Sequence, residues 1–269
     1  MKISQSDARP PFQQIAAQLR EAIRTGRLEP GEKLPSIAEI TESTGVAYAT
    51  ARQAVAVLRN EGLVDTRAGV GVFVRQPHTR ITFSSLEAIE EKENALLSDE
   101  ERAKLDGSIE RRTGLRLDQV VFKPTYARTT ANTDTPQFEA GTPLLQRTYE
   151  YRSAEDGTLL MWSTGWLPVE LIESDPRLLD EQSEPWNGGT HHQLRGVGIE
   201  IARVINTVTA RSTTPEEARE WGMRTADPML VSRSVLKDIN GRVVSVGLST
   251  YPSDRTELEF VTDLPRWAD

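Results

Sequence analysis

Apolar residues in the first part of the chain recur at helical spacing, in segments bounded by proline and glycine. In the first segment Ile15, Leu19 and Ile23 lie four residues apart, which predicts an amphipathic helix. A second helix is predicted to begin after Ser36, because its hydroxyl and the Glu39 carboxylate three residues later can form a capping box. The pattern therefore predicts two short helices separated by a proline- and glycine-containing break.

A third helical segment follows, and after it the pattern changes period. This segment, from about Tyr48 to Asn60, places four apolar residues on one face: Ala51, Ala54, Val55 and Leu58. Gly62 then stands where helices often end, and residues 63–66 and 70–74 alternate as two short strands around a turn at residues 67–69. We therefore predict a third helix followed by a β-hairpin.

Three helices followed by a hairpin have the order of a winged helix-turn-helix domain. Such a domain places its recognition helix in the major groove of double-stranded DNA, with the hairpin, called the wing below, beside it. Each signal alone would also fit a small structural module, but the complete order is much more specific. We predict a DNA-binding domain at residues 1–75.

The pattern of the rest of the chain predicts a linker and a second domain. Residues 76–84 are expected to be the linker and residues 85–269 the second domain, which is mainly helical from about residue 86 to 112. Strand patterns then occupy residues 120–122, 144–152, 159–167, 199–211, 229–238 and 243–252. Asp-Gly at 156–157 and Asn-Gly at 240–241 are hairpin turns. We expect a two-domain α/β chain whose second domain is α+β with a mainly antiparallel sheet.

Charge is distributed unevenly between the two predicted domains. The whole chain has a net charge of −8, the wrong sign for a partner as acidic as DNA. Residues 1–80 contain 11 Lys and Arg against 8 Asp and Glu, a net charge of +3, whereas residues 81–269 carry −11. Only the first domain has a net charge of the sign that DNA binding requires. The acidic second domain should repel DNA and so confine its contacts to the basic end of the chain.

Composition argues against several other kinds of protein. The chain has no cysteine, so it has neither a disulfide framework nor a thiol nucleophile. It has no run of 18 apolar residues and no signal-peptide pattern, so we expect no membrane partner and a cytoplasmic location. Of the three histidines, His78 lies in the linker, and the adjacent His191 and His192 would point apart. We expect no metal, no cofactor and, without a phosphate-binding loop or nucleophile elbow, no enzyme.

Four segments of the first domain resemble one family of bacterial regulators. Residues 11–15, 26–36, 45–54 and 61–64 resemble the DNA-binding domain of GntR-type regulators, a resemblance that covers residues 10–75 almost without gaps. It implies that Arg52 binds DNA and that Gly69, at the tip of the wing, reaches the minor groove. The family commonly has arginines where this chain has Ala38 and Tyr48. Base recognition is therefore expected to depend on Arg52, Thr50 and the wing.

The candidate DNA contacts lie at the start of the third helix, around the second helix and in the wing. N-terminal residues of the recognition helix would face base edges, and basic side chains would bind phosphates. Tyr48 would stack on a sugar or donate to a phosphate, and Thr50 would contact a phosphate or a thymine methyl group. The candidates are Lys33, Ser36, Ala47, Tyr48, Ala49, Thr50, Arg52, Arg67, Gly69, Gly71 and Arg75.

The second domain resembles the UTRA domain found in the HutC subfamily of GntR-type regulators. The resemblance spans about residues 118–265 and rests on these segments: 141–145, 156–157, 214–218, 228–231 and 254–257. It implies a chorismate-lyase-like fold that binds a small-molecule effector rather than catalysing a reaction. Family members that bind sugar phosphates usually have a glutamate near the position of Ser245, which this chain lacks, so a sugar phosphate is not the expected effector.

The effector pocket is expected where the sheet meets residues 185–194. Gly188 and Gly189 would expose backbone N–H groups there, and a helix N-terminus favours anions. The candidate effector contacts are Tyr149, Tyr151, Arg152, Thr190, His191, His192, Gln193, Arg203, Arg211 and Tyr251. For each of them an ordinary place in the core or on the surface is an equally open alternative.

Together the patterns and the resemblance imply a homodimeric, ligand-responsive repressor. Its two DNA-binding domains would contact operator half-sites about one helical turn apart, and effector binding would weaken that contact. Two alternatives stay open. One is an enzyme with a lyase-like second domain that the first domain targets to DNA, and the other is a repressor controlled by a protein partner.

Overall fold

The computed structural model describes residues 1–4, 6–67, 69–76, 80–186, 188–223 and 226–264. The chain divides into two compact units, Met1–His78 and Thr79–Asp269. Some positions singled out in the sequence lie outside the described residues: residue 68 of the wing turn, residues 77–79 of the predicted linker, including His78, and residue 187 of the pocket segment. The two units are described separately below.

The first unit contains the three helices and the hairpin that its sequence predicts. Its elements are α1 (Pro11–Arg24), α2 (Ile37–Thr44), α3 (Tyr48–Asn60) and the antiparallel pair β1 (Val64–Arg67) and β2 (Gly71–Val74). The Ser36 hydroxyl accepts the Glu39 N–H at 3.2 Å while the Glu39 carboxylate accepts the Ser36 N–H at 2.7 Å. The predicted capping box is therefore confirmed, and it sets the first residue of α2.

One apolar core holds these elements together. The predicted face of α3 is buried, and it packs with residues from α1, α2 and the hairpin. The core consists of Ile15, Ala16, Leu19, Leu34, Ile40, Ala51, Ala54, Val55, Leu58, Val64 and Val74. The opposite side of α3, including Arg52 and Gln53, stays exposed, so the core fixes which face of this helix meets a partner.

The second unit begins with a short strand and three helices. These are β3 (Ile81–Ser84), α4 (Glu87–Asn94), α5 (Asp99–Arg102) and α6 (Ser108–Thr113), in agreement with the helical composition of this stretch. The elements that follow are β4 (Val120–Thr130), β5 (Pro143–Ser153), β6 (Leu159–Pro168), α7 (Val169–Ile172), α8 (Gly189–Gly196), β7 (Ile201–Ser212), α9 (Pro215–Glu220), β8 (Pro228–Asp238), β9 (Val243–Pro252) and β10 (Thr256–Glu259).

Six of these strands form one antiparallel sheet in the order β4-β5-β6-β9-β8-β7. The expected antiparallel α+β architecture is confirmed. The two predicted turns join neighbouring strands, with Gly157 at φ 71° and Gly241 at φ 80°, a region that glycine enters without steric cost. The central pair is β6 and β9, which are far apart in sequence, so no local pattern predicts their pairing.

The range expected to be a linker contains a strand. Ile81–Ser84 pairs in parallel with Thr256–Glu259, forming a small second sheet. Ile81 is fully buried, and the Phe83 ring lies 4.2 Å from the Tyr251 ring, centroid to centroid. The prediction of a linker extending to residue 84 is therefore wrong for residues 81–84. The partner strand comes from the other end of the chain, and a four-residue strand gives too short an alternation to be recognised.

A second core lies on one side of the sheet, between the sheet and α7 and α8. It includes Leu145, Leu167, Ile172 and Leu194, all nearly inaccessible to solvent. Over the described ranges, no helix combines the length and the apolar character needed to cross a lipid bilayer.

Candidate DNA-binding surface and ligand cavity

The N-terminal end of α3 presents small and polar residues to solvent. Ala47 precedes the helix with extended backbone angles, and Ala49 and Arg52 are exposed. The Tyr48 side chain is 61% exposed, which is unusual for a large aromatic residue and typical of a contact surface. Thr50 is half-buried beside them. The structure thus brings the predicted residues of this helix together on one accessible surface.

Two cationic residues lie at the second strand of the wing, Lys33 beside its backbone and Arg67 over its phenylalanine ring. Lys33 pairs with Phe73 of β2 through an isolated bridge, and the Arg67 guanidinium lies 4.4 Å above the centre of the Phe73 ring. Gly71 has φ 147°, which favours glycine, and a Cβ atom there would lie 2.5 Å from Lys33 Cε, so a side chain at this position would displace the lysine. Gly69 is exposed at φ 72° in the turn.

The last two predicted DNA contacts have partners within the first unit. Ser36 is exposed, but its oxygen already caps α2. Arg75 is only 21% exposed, and its Nε lies 3.8 Å from the Asp65 carboxylate. Arg75 therefore offers less to a phosphate than Lys33 or Arg67, which are both exposed.

The second unit holds a cavity of about 780 Å³. Its floor is the face of the sheet formed by β5, β6, β9 and β8, and its wall is the segment from residue 84 to residue 112. Residues 184–186, 188–191 and 193 form its end. Six of the ten predicted effector contacts line it: Tyr149, Tyr151, Thr190, His191, Gln193 and Tyr251. The expected position of the pocket, where the sheet meets residues 185–194, agrees with this geometry.

The other four predicted effector contacts do not line the cavity. Arg152, Arg203 and Arg211 occupy strand positions that alternate with the cavity-facing residues, so they point to the opposite face of the sheet. Arg211 forms an ion pair with Glu217 at 2.6 Å, and Arg152 donates to the Glu150 carboxylate. The structure therefore does not bring these three arginines to the cavity, because a residue type does not indicate which face of a strand it occupies.

His191 and His192 point in different directions from α8. The Nδ1 of His192 accepts a hydrogen bond from the indole N–H of Trp186 at 3.0 Å, and Trp186 lines the cavity whereas His192 does not. His191 is buried in the cavity wall, with its Nε2 4.0 Å from the Glu91 carboxylate. Burial, and secondarily the charge of Lys92, lowers the pKa of His191 to about 4, so this imidazole is neutral at pH 7.

A buried arginine that the sequence reasoning missed lines one side of the cavity. Arg147 is 2% exposed, and it donates to Gln193 Oε1 and to the Leu178 carbonyl, both at 2.5 Å. Its guanidinium lies 5.0 Å from the centre of the Tyr126 ring. The missed signal was the two-residue period of a strand. Arg147, Tyr149 and Tyr151 are spaced two residues apart, so they lie on the same face of β5.

A half-buried carboxylate near this arginine was also missed. Glu184 accepts hydrogen bonds from the hydroxyls of Tyr126 at 2.6 Å and Tyr149 at 2.9 Å, and from the Trp186 N–H at 2.7 Å. Burial raises the pKa of both tyrosines above the usual value, so their hydroxyls remain donors. This corner of the cavity therefore contains one guanidinium and one carboxylate, held apart by tyrosines.

The other end of the cavity contains a closed ion pair. Arg112 and Glu87 approach to 2.7 Å and are each 17% exposed, and the guanidinium lies 4.6 Å from the centre of the Phe83 ring. Burial raises the pKa of the neighbouring Glu91. In the part of the chain that the structure describes, no group of three His, Cys, Asp or Glu side chains has a geometry suited to a metal ion.

Comparisons with known proteins match the two units separately. Residues 11–74 match the model of the gntR family of bacterial regulatory proteins, and residues 134–257 match the UTRA domain. The chain is 40% identical over 77 residues to the HTH-type transcriptional repressor NagR of Bacillus subtilis, which is 29% of this chain and 32% of that protein. It is 24% identical over 260 residues to an uncharacterized HTH-type transcriptional regulator of Streptomyces coelicolor, covering 95% of this chain and 94% of that one.

The structural comparison extends over nearly the whole chain. A crystal structure described as that of a GntR-family transcriptional regulator superposes with a TM-score of 0.63 at 22% sequence identity, covering 96% of this chain and 99% of that one. At this identity the likeness concerns the fold. The chain aligns with only about a third of the length of the first curated relatives.

Proposed function

Since this chain belongs to the GntR-type bacterial regulators and carries a UTRA domain, we propose that it is a transcription regulator whose affinity for operator DNA changes when a small molecule binds in its cavity. One observation carries the proposal. The same chain joins an exposed recognition surface, with Tyr48 and Arg52 at the start of α3, to a second unit with a polar cavity of about 780 Å³.

The proposed DNA contacts follow from exposure and charge. The N-terminal end of α3 lies in the major groove, where the Arg52 guanidinium reaches a guanine edge or a phosphate. Lys33 and Arg67 bind phosphates beside the wing, and Gly69 allows the turn to approach the minor groove. The net charge of +3 on residues 1–80 supports this orientation.

Repression is the proposed direction of control. Two relatives of the DNA-binding unit are named as repressors, NagR and the mannosyl-D-glycerate system repressor MngR of Escherichia coli. We place the protein in the cytoplasm as a homodimer on an inverted repeat, with half-sites about one helical turn apart. The second unit binds its ligand without transforming it, so the protein is not an enzyme.

Operator binding is tested with the full chain and a duplex that contains the inverted repeat closest to its own gene. Fluorescence anisotropy should show binding at nanomolar protein at physiological salt, about a thousandfold tighter than to a scrambled duplex of the same composition. Equal affinity for the two duplexes would contradict sequence-specific binding. The same titration at several salt concentrations should show affinity falling as salt rises, since phosphate contacts release counterions.

The ligand arm is tested by a thermal-shift screen of metabolites, followed by the same anisotropy titration. A compound that stabilises the protein by binding should also change operator affinity. If every stabilising compound left operator affinity unchanged, ligand control would be wrong. Stabilisation by a protein fraction alone would instead favour a regulator controlled by a protein partner.

A further inference from the structure

Two glycines face each other in the middle of the cavity floor. Gly165 of β6 and Gly247 of β9 are register partners across the central strand pair, and both line the cavity. On the same row, Arg147 of β5 lies beside Gly165 and Ser234 of β8 lies beside Gly247. The floor between Arg147 and Ser234 therefore has no side chains on it.

Neither glycine is required by the backbone or by internal packing. Both lack a positive φ angle, in contrast to many other glycines of the chain. A Cβ atom at position 165 would lie 3.9 Å from its nearest neighbour, the Val246 carbonyl oxygen, and one at position 247 would lie 3.8 Å from Ser234 Cβ. Alanine would thus fit at both positions. Glycine weakens a central strand, and it often marks a place where a ligand approaches the backbone closely.

The part of the cavity floor over Gly165 and Gly247 is small, and its size limits which ligands can lie on it. Arg147 and Ser234 are three strand spacings apart, or about 14 Å between backbones, and Ser163 and Leu167 are about 13 Å apart along β6. Once the thickness of these bordering side chains is subtracted, the remaining patch has about the footprint of one six-membered ring. A ring lying flat would contact the peptide surface of both strands.

The side chains at one border of the floor favour a negatively charged group on the ligand. Arg147 Nε is buried and has no hydrogen-bond partner among the residues that the structure describes. A buried donor without a partner is costly, and a ligand oxygen would satisfy it. Glu184 is bonded to the same tyrosine pair that surrounds Arg147. Its negative charge favours a ligand group with one negative charge, a carboxylate, over a doubly charged phosphate.

We propose that the ligand of this cavity is a flat ring bearing a carboxylate, which lies face down on Gly165 and Gly247 with its carboxylate on Arg147. Two other borders of the floor support polar substituents on the ring, one along the central strands and one opposite Arg147. Ser163 and Ser249 are hydrogen-bonded to each other at 3.0 Å, and the Ser234 hydroxyl donates to Asn206 at 2.5 Å. The inference names the class of effector for the proposed function, and it rests on that function only for the ligand's regulatory role.

The test uses the full chain and three probes of nearly equal size. Benzoate is flat and charged, benzamide is flat and neutral, and cyclohexanecarboxylate is charged but puckered. By titration calorimetry or ligand-observed NMR, benzoate should bind with a millimolar dissociation constant, as expected for so small a molecule. Benzamide should bind about tenfold more weakly because it lacks the charge, and cyclohexanecarboxylate about tenfold more weakly because it cannot lie flat.

Two alanine variants and one matched control test the floor. Gly165→Ala and Gly247→Ala each place a methyl group under the ring and should weaken benzoate binding by about tenfold or more. Gly196→Ala is the control, because that glycine ends α8 outside the cavity lining, with nothing within 4 Å of an added Cβ. It should bind benzoate like the unmodified chain. Thermal unfolding should show that all three variants remain folded, since alanine fits at each position.

Several results would overturn the proposal. One is the absence of benzoate binding at 10 mM, about ten times the expected dissociation constant. Another is that benzamide or cyclohexanecarboxylate binds as tightly as benzoate. The last is that both floor variants bind benzoate as tightly as the unmodified chain. All of these measurements are made without DNA. Failure of operator binding would therefore contradict the proposed function alone, and failure of ligand binding would contradict this inference alone.

Discussion

Arg52 lies on the exposed side of α3, one turn after the residues that begin this helix, while Ala51 beside it is fully buried. The buried face fixes the rotation of the helix, so the guanidinium can point only away from the core. The same helix carries a second exposed arginine, Arg59, in its last turn. The two arginines share a helix and a charge but differ in distance from the end that would enter the major groove.

Arg52→Ala should lower operator affinity by about ten- to a hundredfold, the range for loss of a bidentate base contact. Arg59→Ala is the matched control and should change affinity by less than about threefold, because it lies at the far end of the helix. Fluorescence anisotropy on the full chain measures both. Equal losses in the two variants would show that α3 contributes only general positive charge.

His191 gives the second unit a specific response to acid. Its pKa is lowered to about 4 in the folded chain by burial, whereas an unfolded histidine titrates near its ordinary value of 6.5. The stabilisation from keeping this imidazole neutral is fully present above pH 6.5. It is lost as the pH falls towards 4, because the unfolded chain then takes up the proton first.

Urea unfolding at pH 7, 5.5 and 4.5 tests this prediction. Between pH 7 and 4.5 the free energy of unfolding should fall by about 2–3 kcal/mol more in the unmodified chain than in His191→Gln, which has no titrating group there. The neighbouring Glu91 is present in both proteins, so its titration largely cancels in the difference. Parallel pH profiles for the two proteins would contradict a depressed pKa at His191.

The residue scale also shows where sequence reasoning succeeds and fails. Tyr149, Tyr151 and Tyr251 were expected in the pocket and line the cavity, whereas Arg203 and Arg211 were expected there and do not. Residue type alone cannot separate these cases, because an arginine on either face of a strand looks the same in sequence. Strict alternation along β5 would have identified Arg147, and pairing between distant strands was needed to bring it opposite Gly165.

At the scale of the element, the start of α2 combines a structural and a proposed functional role. The Ser36 hydroxyl completes the capping box with Glu39, and it is also a candidate phosphate contact. A single alanine variant would remove both roles together. Aspartate separates them, because it caps a helix as well as serine does but repels a phosphate.

Ser36→Ala should lower the free energy of unfolding by about 1 kcal/mol through loss of the cap. Ser36→Asp should leave stability within about 0.5 kcal/mol of the unmodified chain while lowering operator affinity several-fold. Denaturant unfolding and anisotropy are measured on both variants. If Ser36→Asp bound the operator as tightly as the unmodified chain, Ser36 would have only the structural role.

Strand lengths and boundaries show the limits of local patterns within an element. β4 runs from Val120 to Thr130, much further than its apolar start at residues 120–122 predicts. It is an edge strand in which exposed and half-buried positions alternate over residues 121–127. The exposed positions include Val121 and Ala127 and the half-buried ones include Pro124, so the sequence shows no clear apolar alternation there, while hydrogen bonds to β5 define the strand. The same reasoning explains β3, which in the described part of the chain pairs with β10 alone.

At the scale of the whole molecule, regulation requires that the two units affect each other's equilibria. If a ligand of the cavity lowers operator affinity by some factor, operator DNA must lower ligand affinity by the same factor. The distribution of charge supports a division of labour, since the DNA-binding end is net positive and the remainder carries −11.

This reciprocity is a measurable prediction for any ligand that weakens operator binding. Anisotropy titrations with and without saturating ligand give one ratio of dissociation constants, and calorimetric titrations of ligand with and without operator give the other. The two ratios should agree within about twofold, corresponding to a coupling free energy of about 1–3 kcal/mol. A large disagreement would indicate that the ligand acts on DNA binding by a route other than the cavity.

The sequence by itself determined the features that depend on neighbouring residues. The three helices of the first unit, the capping box at Ser36, the wing and most strands of the second unit follow from spacings of 3.6 and 2 residues and from local turn chemistry. Only the tertiary structure decided which strands are neighbours, and hence that Arg147, Gly165, Gly247 and Ser234 form one row across the cavity floor. The physical reason is that strand pairing joins residues distant in sequence, so neither the order of strands nor the shared face is written in any local pattern.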